Sequence, residues 1–437
     1  RTLALLAATT LTKSARSITM TPTTIYSTSE RTFTCSDGVK LVVKSWSNNN
    51  NNTDDLCNNN IPTKKILCLH GWLDNAASFN RLAPLLLDAS SDEQEEQQQQ
   101  PMEILALDFP GHGLSGHKSV DGPPQLLAEY AYYVLECIEA LKWGKGNNGA
   151  SSGGGATRSV VGNINANVNS NNSAQTKNIG VGGNNNDDAN ESTGKERDDK
   201  INLIGHSMGA GVSVVLVAAF PELFSSLTLL EGAGPLARNA NDCSRHVRAA
   251  CQRRLKSNKT LFSDGTSGGG SNGDGSHTIS AARAKVYRNV DAAIEARLDT
   301  TRRMPGDQYL SVEAARDMVV RATVDAAGTD STSHSSSSSD DNRPVSFRHD
   351  PRLQWPSLQY YTREQVEAFY TDVCNSNIPV SVLMSEDGWP IDSWSRSAVN
   401  DILKPCQMKL LKGSHHFHAD PDTVGDVASE IVSFLRA

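Results

Sequence analysis

The stretch of sequence that most restricts the fold runs from Ile201 to Phe220 and reads INLIGHSMGAGVSVVLVAAF. A short apolar run typical of a buried strand ends at the pentapeptide GHSMG (205–209), and a small-residue segment typical of a helix follows. The pentapeptide fits G-x-S-x-G, in which the glycines allow a sharp strand-to-helix turn that lifts the serine hydroxyl above a sheet. An ordinary tight turn would not need this pattern in this context. The sequence therefore predicts that Ser207 is a nucleophile, with the positive end of a helix behind it.

Strand-like segments alternate with helix-like segments on both sides of this turn. The strand-like segments are VKLVVKSW (39–46), KKILCLHG (64–71), MEILALDFPG (102–111), KINLIGHS (200–207), FSSLTLLEG (224–232), IPVSVLMSEDG (378–388) and MKLLKGSHH (408–416). The first alternates apolar and polar residues like an antiparallel edge strand, whereas short continuous apolar runs indicate buried parallel strands. Helical spacing occurs at 124–143 and again at the C-terminal end. This rhythm predicts the α/β class, with a mostly parallel sheet flanked by helices.

Five tracts rich in Asn, Gln, Gly and Ser interrupt the rhythm. They are residues 48–60, 90–100, 144–200, 263–277 and 328–342. Such segments bury too little apolar surface to offset their chain entropy, so we expect disordered low-complexity loops. Because loop-closure entropy grows slowly with length, one folded unit with long loops is a better interpretation than several domains.

A helical, charged block without a clear buried strand separates two of the strands. It covers residues 234–374 and predicts a helical cap inserted into the sheet domain. The expected organisation is a core formed by 31–233 and 375–437, with 144–200 as a disordered insertion. Residues 1–30 are expected to be a targeting or disordered segment, because the first twenty contain three basic residues and no acid, as organellar transit peptides do.

Composition excludes several classes of partner. The net charge of −8 gives no basic footprint for nucleic acid. No apolar run reaches the roughly 20 residues of a membrane-spanning helix, so no transmembrane segment is predicted. The eight cysteines lack C-x-x-C spacing, which favours a reducing intracellular compartment, cytoplasmic or organellar, over a disulfide scaffold.

A serine hydroxyl is a weak nucleophile and requires a base, and LLKGSHHFHADP offers His415 or His416 after the last strand. The order Ser then His agrees with the hydrolase arrangement. Three histidines in four residues could instead bind a metal or lie in a solvated loop, but no Cys or carboxylate cluster accompanies them, so no metal and no cofactor are expected.

An oxyanion hole needs two donors. We expect the N–H groups of Met208 and Trp72, although Trp72 could simply wall the pocket.

The motifs LHGWLDNAASF, LDFPGHGLSGH, LIGHSMGAG, LLEGAGP and GSHHFH occur in this order. Together they resemble the α/β-hydrolase-fold superfamily and, within it, the serine hydrolase-like protein group. HDPRL and YTREQVEAFY resemble the end of that group's cap. The resemblance implies an α/β-hydrolase fold, Ser207 as the nucleophile and His415 as the base in a G-x-H-x-x-H motif that also contains His418. A serine at this position argues against the similar epoxide hydrolases and haloalkane dehalogenases, which use Asp there.

The third member of the triad departs from the pattern of many relatives, which carry Asp in a G-x-x-D turn after the seventh strand. Here the turn reads SEDG, which places Gly388 at the expected Asp position, and Asp387 would serve only after a one-residue shift. The other known position is the end of the sixth strand, where this chain has Glu231. We prefer Glu231 because LLEG ends its strand cleanly. Asp387 could equally be a turn residue, and Glu231 a buried carboxylate that accepts from loop amides.

The resemblance and the motifs together predict a serine hydrolase that cleaves an ester or thioester of a small-molecule acyl substrate through an acyl-enzyme. Two alternatives use the same site differently: carbon–carbon bond hydrolysis or peracid formation, and a binding protein that kept the fold and lost turnover. A third is a scaffold that works through its low-complexity loops. The sequence gives no oligomeric state.

Overall fold

The computed structural model describes residues 26–48, 63–89, 101–119, 126–143, 200–261, 285–326 and 343–437. The first 25 residues and almost all of the five low-complexity tracts lie outside these described residues, so the expectations of targeting and disorder stay predictions.

Thirteen strands and nine α-helices are formed by the described residues. The strands are β1 (Ser27–Thr34), β2 (Lys40–Ser47), β3 (Lys64–Leu69), β4 (Met102–Asp108), β5 (Ile201–His206), β6 (Phe224–Leu230), β7 (Ala237–Arg238), β8 (Val286–Tyr287), β9 (Thr323–Asp325), β10 (Val345–Phe347), β11 (Tyr361–Thr362), β12 (Val380–Asp387) and β13 (Gln407–Ser414). The helices are α1 (Leu82–Asp88), α2 (Leu127–Ala140), α3 (Met208–Ala219), α4 (Cys243–Leu261), α5 (Val290–Arg302), α6 (Val312–Ala322), α7 (Arg363–Asn375), α8 (Ser393–Ala398) and α9 (Val424–Arg436).

Eight of the strands form the central sheet in the order β1-β2-β4-β3-β5-β6-β12-β13. Pairing is antiparallel between β1 and β2 and between β2 and β4, and parallel across the rest of the sheet. In the centre, Leu67 of β3 is in register with Leu105 of β4 and Leu203 of β5. The α/β class with a mainly parallel sheet is therefore confirmed, and the carboxyl ends of β3, β5 and β6 meet at one edge.

The outer edge of the sheet differs from the prediction. The segment 39–46 was expected to be the edge strand, but β2 has β1 paired along its outer side. Residues 27–30, expected to be targeting or disordered, belong to β1. Nearly all of β1 is exposed, so it lacks the alternating buried residues by which a strand is recognised in sequence.

Two apolar cores lie on opposite faces of the sheet, because successive side chains of a strand point to opposite faces. In β3, Leu67 and Leu69 belong to the core covered by α2, α3 and α7, whereas Ile66 and Cys68 belong to the core covered by α1 and α9. Burial on both faces explains why the central strands are continuous apolar runs rather than alternating ones.

Residues 234–374, which we name the insert, lie between β6 and β12. Helices α5 and α6 share a small apolar core with β10 and with Ala419, which follows β13. The insert also contains short strands that were not predicted: β8, β10 and β9 form an antiparallel sheet, and β7 pairs with β11. Strands of two or three residues are too short to show a periodicity. Arg321, whose side chain is 8% exposed, joins the insert to Asp108 of β4 through an ion pair of 2.8 Å.

No helix in the described ranges combines the length and the apolar composition needed to cross a bilayer. The seven cysteines within those ranges are free thiols, and Cys57 lies outside them.

Candidate active site

Ser207 lies in a strained turn between β5 and α3. Its backbone has φ 53° and ψ −113°, in the positive-φ region that residues with side chains rarely adopt. The Ser207 N–H donates to the carbonyl of Leu230 at 2.9 Å, which ties the turn to the end of the neighbouring strand β6. This conformation turns the serine side chain out of the strand at the start of the helix, as a nucleophile elbow does.

Two glycines make this turn sterically feasible. A Cβ on Gly205 would lie 2.5 Å from Ser213 Oγ and 2.6 Å from the carbonyl oxygen of Gly209. A Cβ on Gly209 would lie 2.1 Å from the carbonyl oxygen of Leu69. No side chain fits at such distances, so the spacing G-x-S-x-G is required by the packing of α3 against β3 and β5.

His415 follows β13 and connects the serine to a carboxylate. Its Nε2 lies 3.0 Å from Ser207 Oγ, and its Nδ1 lies 3.1 Å from Glu231 Oε2. Because an ionised carboxylate only accepts hydrogen bonds, the Nδ1 proton is assigned to the bond with Glu231. In the neutral ring this leaves the lone pair of Nε2 facing the serine hydroxyl. The imidazole can therefore take the hydroxyl proton.

Glu231 is buried at the end of β6 in a second positive-φ conformation, with φ 50°. Besides His415, its carboxylate accepts from the backbone N–H of Ser385 at 2.6 Å and of Trp389 at 3.0 Å. Burial alone would raise the pKa of the Glu231 carboxyl, but the hydrogen bonds from His415 and from these two amides lower its pKa below the ordinary value. The group is therefore held as a carboxylate.

Asp387, the other acid considered, is exposed at the end of β12. Both ring nitrogens of His415 already have partners, so the structure brings Glu231 and not Asp387 to the imidazole. The neighbouring Gly388 explains the difference. A Cβ on Gly388 would lie 2.3 Å from Glu231 Oε2. The carboxylate of Glu231 thus fills the space beside His415 that a side chain from the β12 turn would otherwise enter.

The two amides expected to form an oxyanion hole lie at the same edge of the sheet. Met208 begins α3, and Trp72 follows Gly71, where a Cβ would lie 3.0 Å from His206 Nδ1. Among the described residues, no hydrogen bond takes up the N–H of Met208 or of Trp72. The Trp72 indole is half-exposed and donates to the carbonyl of Leu353 in the insert at 3.1 Å.

A buried histidine cluster behind the site was not predicted as a unit. His206 Nε2 donates to the carbonyl of His415 at 2.8 Å, and His416 Nε2 lies 3.2 Å from Asp74 Oδ2. The His418 ring contacts the His206 ring at a tilt of 40°, with ring centroids 4.1 Å apart, and burial lowers the pKa of His418 to about 3. Arg297 of the insert pairs with Asp74 at 2.5 Å. His416 is therefore engaged elsewhere, and among the histidines that the structure describes His415 is the one hydrogen-bonded to Ser207 Oγ.

The histidines do not form a metal centre in the described ranges, where no group of three His, Cys, Asp or Glu side chains has a geometry that could hold a metal ion. The chemistry available to the site is proton transfer between Ser207 and His415, with Glu231 next to the positive charge that the ring would acquire.

A model of the alpha/beta hydrolase family matches residues 66–427, a span that includes Ser207, Glu231 and His415. The chain belongs to the alpha/beta hydrolase family. Among curated proteins, this hydrolase-family chain is 21% identical over 376 residues to a serine hydrolase-like protein of Dictyostelium discoideum, a match that covers 85% of this chain and 75% of that protein. It is also 44% identical over 80 residues to a serine hydrolase-like protein of Homo sapiens, covering 18% of this chain and 33% of the human protein.

Solved structures agree on the fold. A hypothetical protein from Pseudomonas aeruginosa is similar with a TM-score of 0.58 and 23% identity, over 93% of this chain and 99% of that one. A thioesterase domain from the curacin biosynthetic pathway is similar with a TM-score of 0.51 and 15% identity, over 94% of this chain and 100% of that one. Likeness at these identities establishes the hydrolase fold and leaves the reaction to be argued from the site.

Proposed function

We propose that this chain is a serine hydrolase that cleaves the ester or thioester bond of a small acyl substrate through a covalent acyl-enzyme on Ser207. The observation that carries the proposal is the position of the His415 ring, with one nitrogen 3.0 Å from Ser207 Oγ and the other 3.1 Å from Glu231 Oε2. A hydroxyl, a base and a carboxylate joined in this way form an activated nucleophile.

Acylation begins when His415 Nε2 takes the proton of Ser207 Oγ as that oxygen attacks the acyl carbonyl. The negative charge of the tetrahedral intermediate is stabilised by the N–H groups of Met208 and Trp72, and removal of one such donor typically costs about 10²–10³ in kcat. The imidazolium then gives its proton to the leaving alcohol or thiol, and the acyl group stays on Ser207.

Deacylation repeats these steps with water as the nucleophile. His415 Nε2 takes a proton from water, the hydroxide attacks the acyl-enzyme, and the proton returns to Ser207 Oγ as the carboxylic acid leaves. Glu231 remains ionised throughout, because its lowered pKa favours a carboxylate beside the imidazolium.

We also propose that the insert acts as a cap on the core formed by 31–233 and 375–437. The hydrogen bond from Trp72 to Leu353 supports this, since it joins the insert to the loop that carries an oxyanion donor. In this position the insert would restrict which acyl groups reach Ser207.

Hydrolysis of a series of p-nitrophenyl esters and acyl thioesters by the full chain tests the proposal. We expect wild-type turnover, with kcat at least about 10⁴-fold lower for Ser207→Ala, whose side chain has no hydroxyl to acylate. Binding of acyl ligands without acylation would support the inactive binding protein instead. Turnover confined to carbon–carbon substrates or to perhydrolysis would support the other chemistries of the same site.

A further inference from the structure

The backbone of His415 is fixed on both sides by side chains. The His415 N–H donates to Gln308 Oε1 at 2.9 Å, and the His415 carbonyl accepts from His206 Nε2 at 2.8 Å. His206 precedes the nucleophile, whereas Gln308 belongs to the insert. With both flanking peptide groups held, the Cα–Cβ direction of His415 is set before its ring meets Ser207.

Gln308 also contacts the turn that holds the acid. Its Nε2 donates to the carbonyl of Asp387 at 2.7 Å and to that of Pro305 at 3.1 Å. Asp387 lies between Ser385 and Trp389, whose amides bind Glu231. One amide side chain therefore connects the base-bearing loop to the loop that positions the carboxylate.

Packing around Gln308 leaves it little freedom. The side chain is buried, and a Cβ on Gly306 would lie 3.0 Å from Gln308 Nε2 and 3.2 Å from the carbonyl oxygen of Gly388. The next residue, Tyr309, accepts at its carbonyl from Ser414 Oγ at 2.5 Å. The segment 305–309 of the insert thus packs against both loops of the site, the one that carries His415 and the one formed by residues 385–389.

We propose that Gln308 is a positioning residue through which the docked insert aligns His415 with Ser207 and Glu231. This inference rests on the proposed hydrolase function. The insert then contributes to catalysis as well as covering the site, because a displacement of about 1 Å in a reacting group can cost about 100-fold in rate. Gln308 acts through backbone groups and touches no reacting atom.

Two substitutions of Gln308 distinguish its hydrogen bond with His415 from its hydrogen bond with Asp387. Gln308→Met has a similar shape and lacks both polar atoms, so we expect kcat per active site to fall about 10- to 100-fold while KM for a small ester changes less than about threefold. Gln308→Glu keeps an acceptor for the His415 N–H and loses the donor to Asp387, so its kcat should lie between those of the wild type and Gln308→Met.

The active-site concentration is taken from completed labelling with a fluorophosphonate, so that misfolded protein is not counted. The downfield NMR resonance of the His415 proton shared with Glu231 gives a second readout, and it should weaken or disappear in Gln308→Met. The matched control is Asp317→Asn, which removes the ion pair of 3.1 Å between the insert and Arg81 without touching either loop of the site. It should keep wild-type kcat and the wild-type resonance.

Wild-type kcat and resonance in Gln308→Met, or an equal loss in Asp317→Asn, would overturn the inference. If Gln308→Met does not fold, Gln308→Leu, which also lacks both polar atoms, replaces it, and wild-type kcat in that variant has the same meaning. Failure of the wild type itself to be labelled at Ser207 would instead refute the proposed function, so the two failures can be distinguished.

Discussion

Replacing Glu231 by Gln changes one atom of the site and reverses its hydrogen bonding. In the native chain one carboxylate oxygen accepts from Ser385 N–H, and the other accepts from both Trp389 N–H and His415 Nδ1. A Gln amide has a single oxygen. In one orientation its NH₂ faces Ser385 N–H, and in the other it faces Trp389 N–H and the ring. In each orientation the amide NH₂ faces an N–H group, so at least one hydrogen bond made by the carboxylate is lost.

The size of the expected loss in kcat follows from the tautomer of the His415 ring. An NH₂ group facing Nδ1 of His415 favours the tautomer that carries its proton on Nε2, and that nitrogen can no longer accept from Ser207 Oγ. A comparable reversal in a serine protease triad lowers kcat by about 10⁴-fold, or about 5 kcal/mol of transition-state stabilisation. We expect Glu231→Gln to lose about 10³- to 10⁴-fold in kcat, with KM changed little.

The assay is steady-state hydrolysis of the best p-nitrophenyl ester, with active sites counted by completed fluorophosphonate labelling. Asp387→Asn is the matched control, because its exposed carboxylate is not a partner of His415 and its loss should change kcat less than about twofold. Full turnover by Glu231→Gln together with a loss of several orders of magnitude in Asp387→Asn would refute the assignment of the acid.

Three further predictions follow from the packing and the buried titratable groups. Gly388→Ala places a Cβ 2.3 Å from Glu231 Oε2, so kcat should fall about 100-fold while thermal unfolding shows a folded protein; an unchanged kcat would contradict the geometry. Gly209→Ala places a Cβ 2.1 Å from the backbone carbonyl of Leu69, and denaturant unfolding should report a loss of about 3 kcal/mol or more, whereas a loss under about 1 kcal/mol would show that α3 can move away. Burial lowers the pKa of His418 to about 3, so below about pH 6.5 the unfolded chain binds a proton at this residue that the folded chain does not bind. The contribution of His418 to the free energy of unfolding is therefore lost as the pH falls from about 6.5 towards 3. Between pH 7 and pH 5 it should remove about 2 kcal/mol from the free energy of unfolding, and His418→Leu should have a correspondingly shallower pH dependence; equal slopes would contradict the buried neutral histidine.

Local patterns were sufficient for seven of the eight strands of the central sheet and for the turn at Ser207. Apolar runs such as those of β3 and β5 reflect burial on both faces, and G-x-S-x-G reflects a steric requirement within a few residues. β1 left no such signal, because its side chains are exposed and its pairing with β2 depends on backbone hydrogen bonds.

The rest of the candidate site depends on contacts between distant parts of the chain. Both Glu231 and Asp387 were open as the acid, since the choice depends on where the β12 turn ends and on the space left by Gly388. Gln308 is 107 residues from its partner His415 in sequence and lies in a segment without a motif. Contacts over such separations form when the insert packs against the sheet domain. A periodic pattern within a short stretch of sequence carries no information about that packing.

The formation of an acyl-enzyme on Ser207 is the central claim, and mass spectrometry tests it most directly. The full chain is mixed rapidly with an excess of p-nitrophenyl ester, quenched in acid, and digested with protease. The account predicts that one peptide, the one containing Ser207, gains the mass of the acyl group, and that Ser207→Ala gives no such peptide. Turnover of the ester with no acylated peptide at any quench time, or with the acyl group on a different residue, would contradict it.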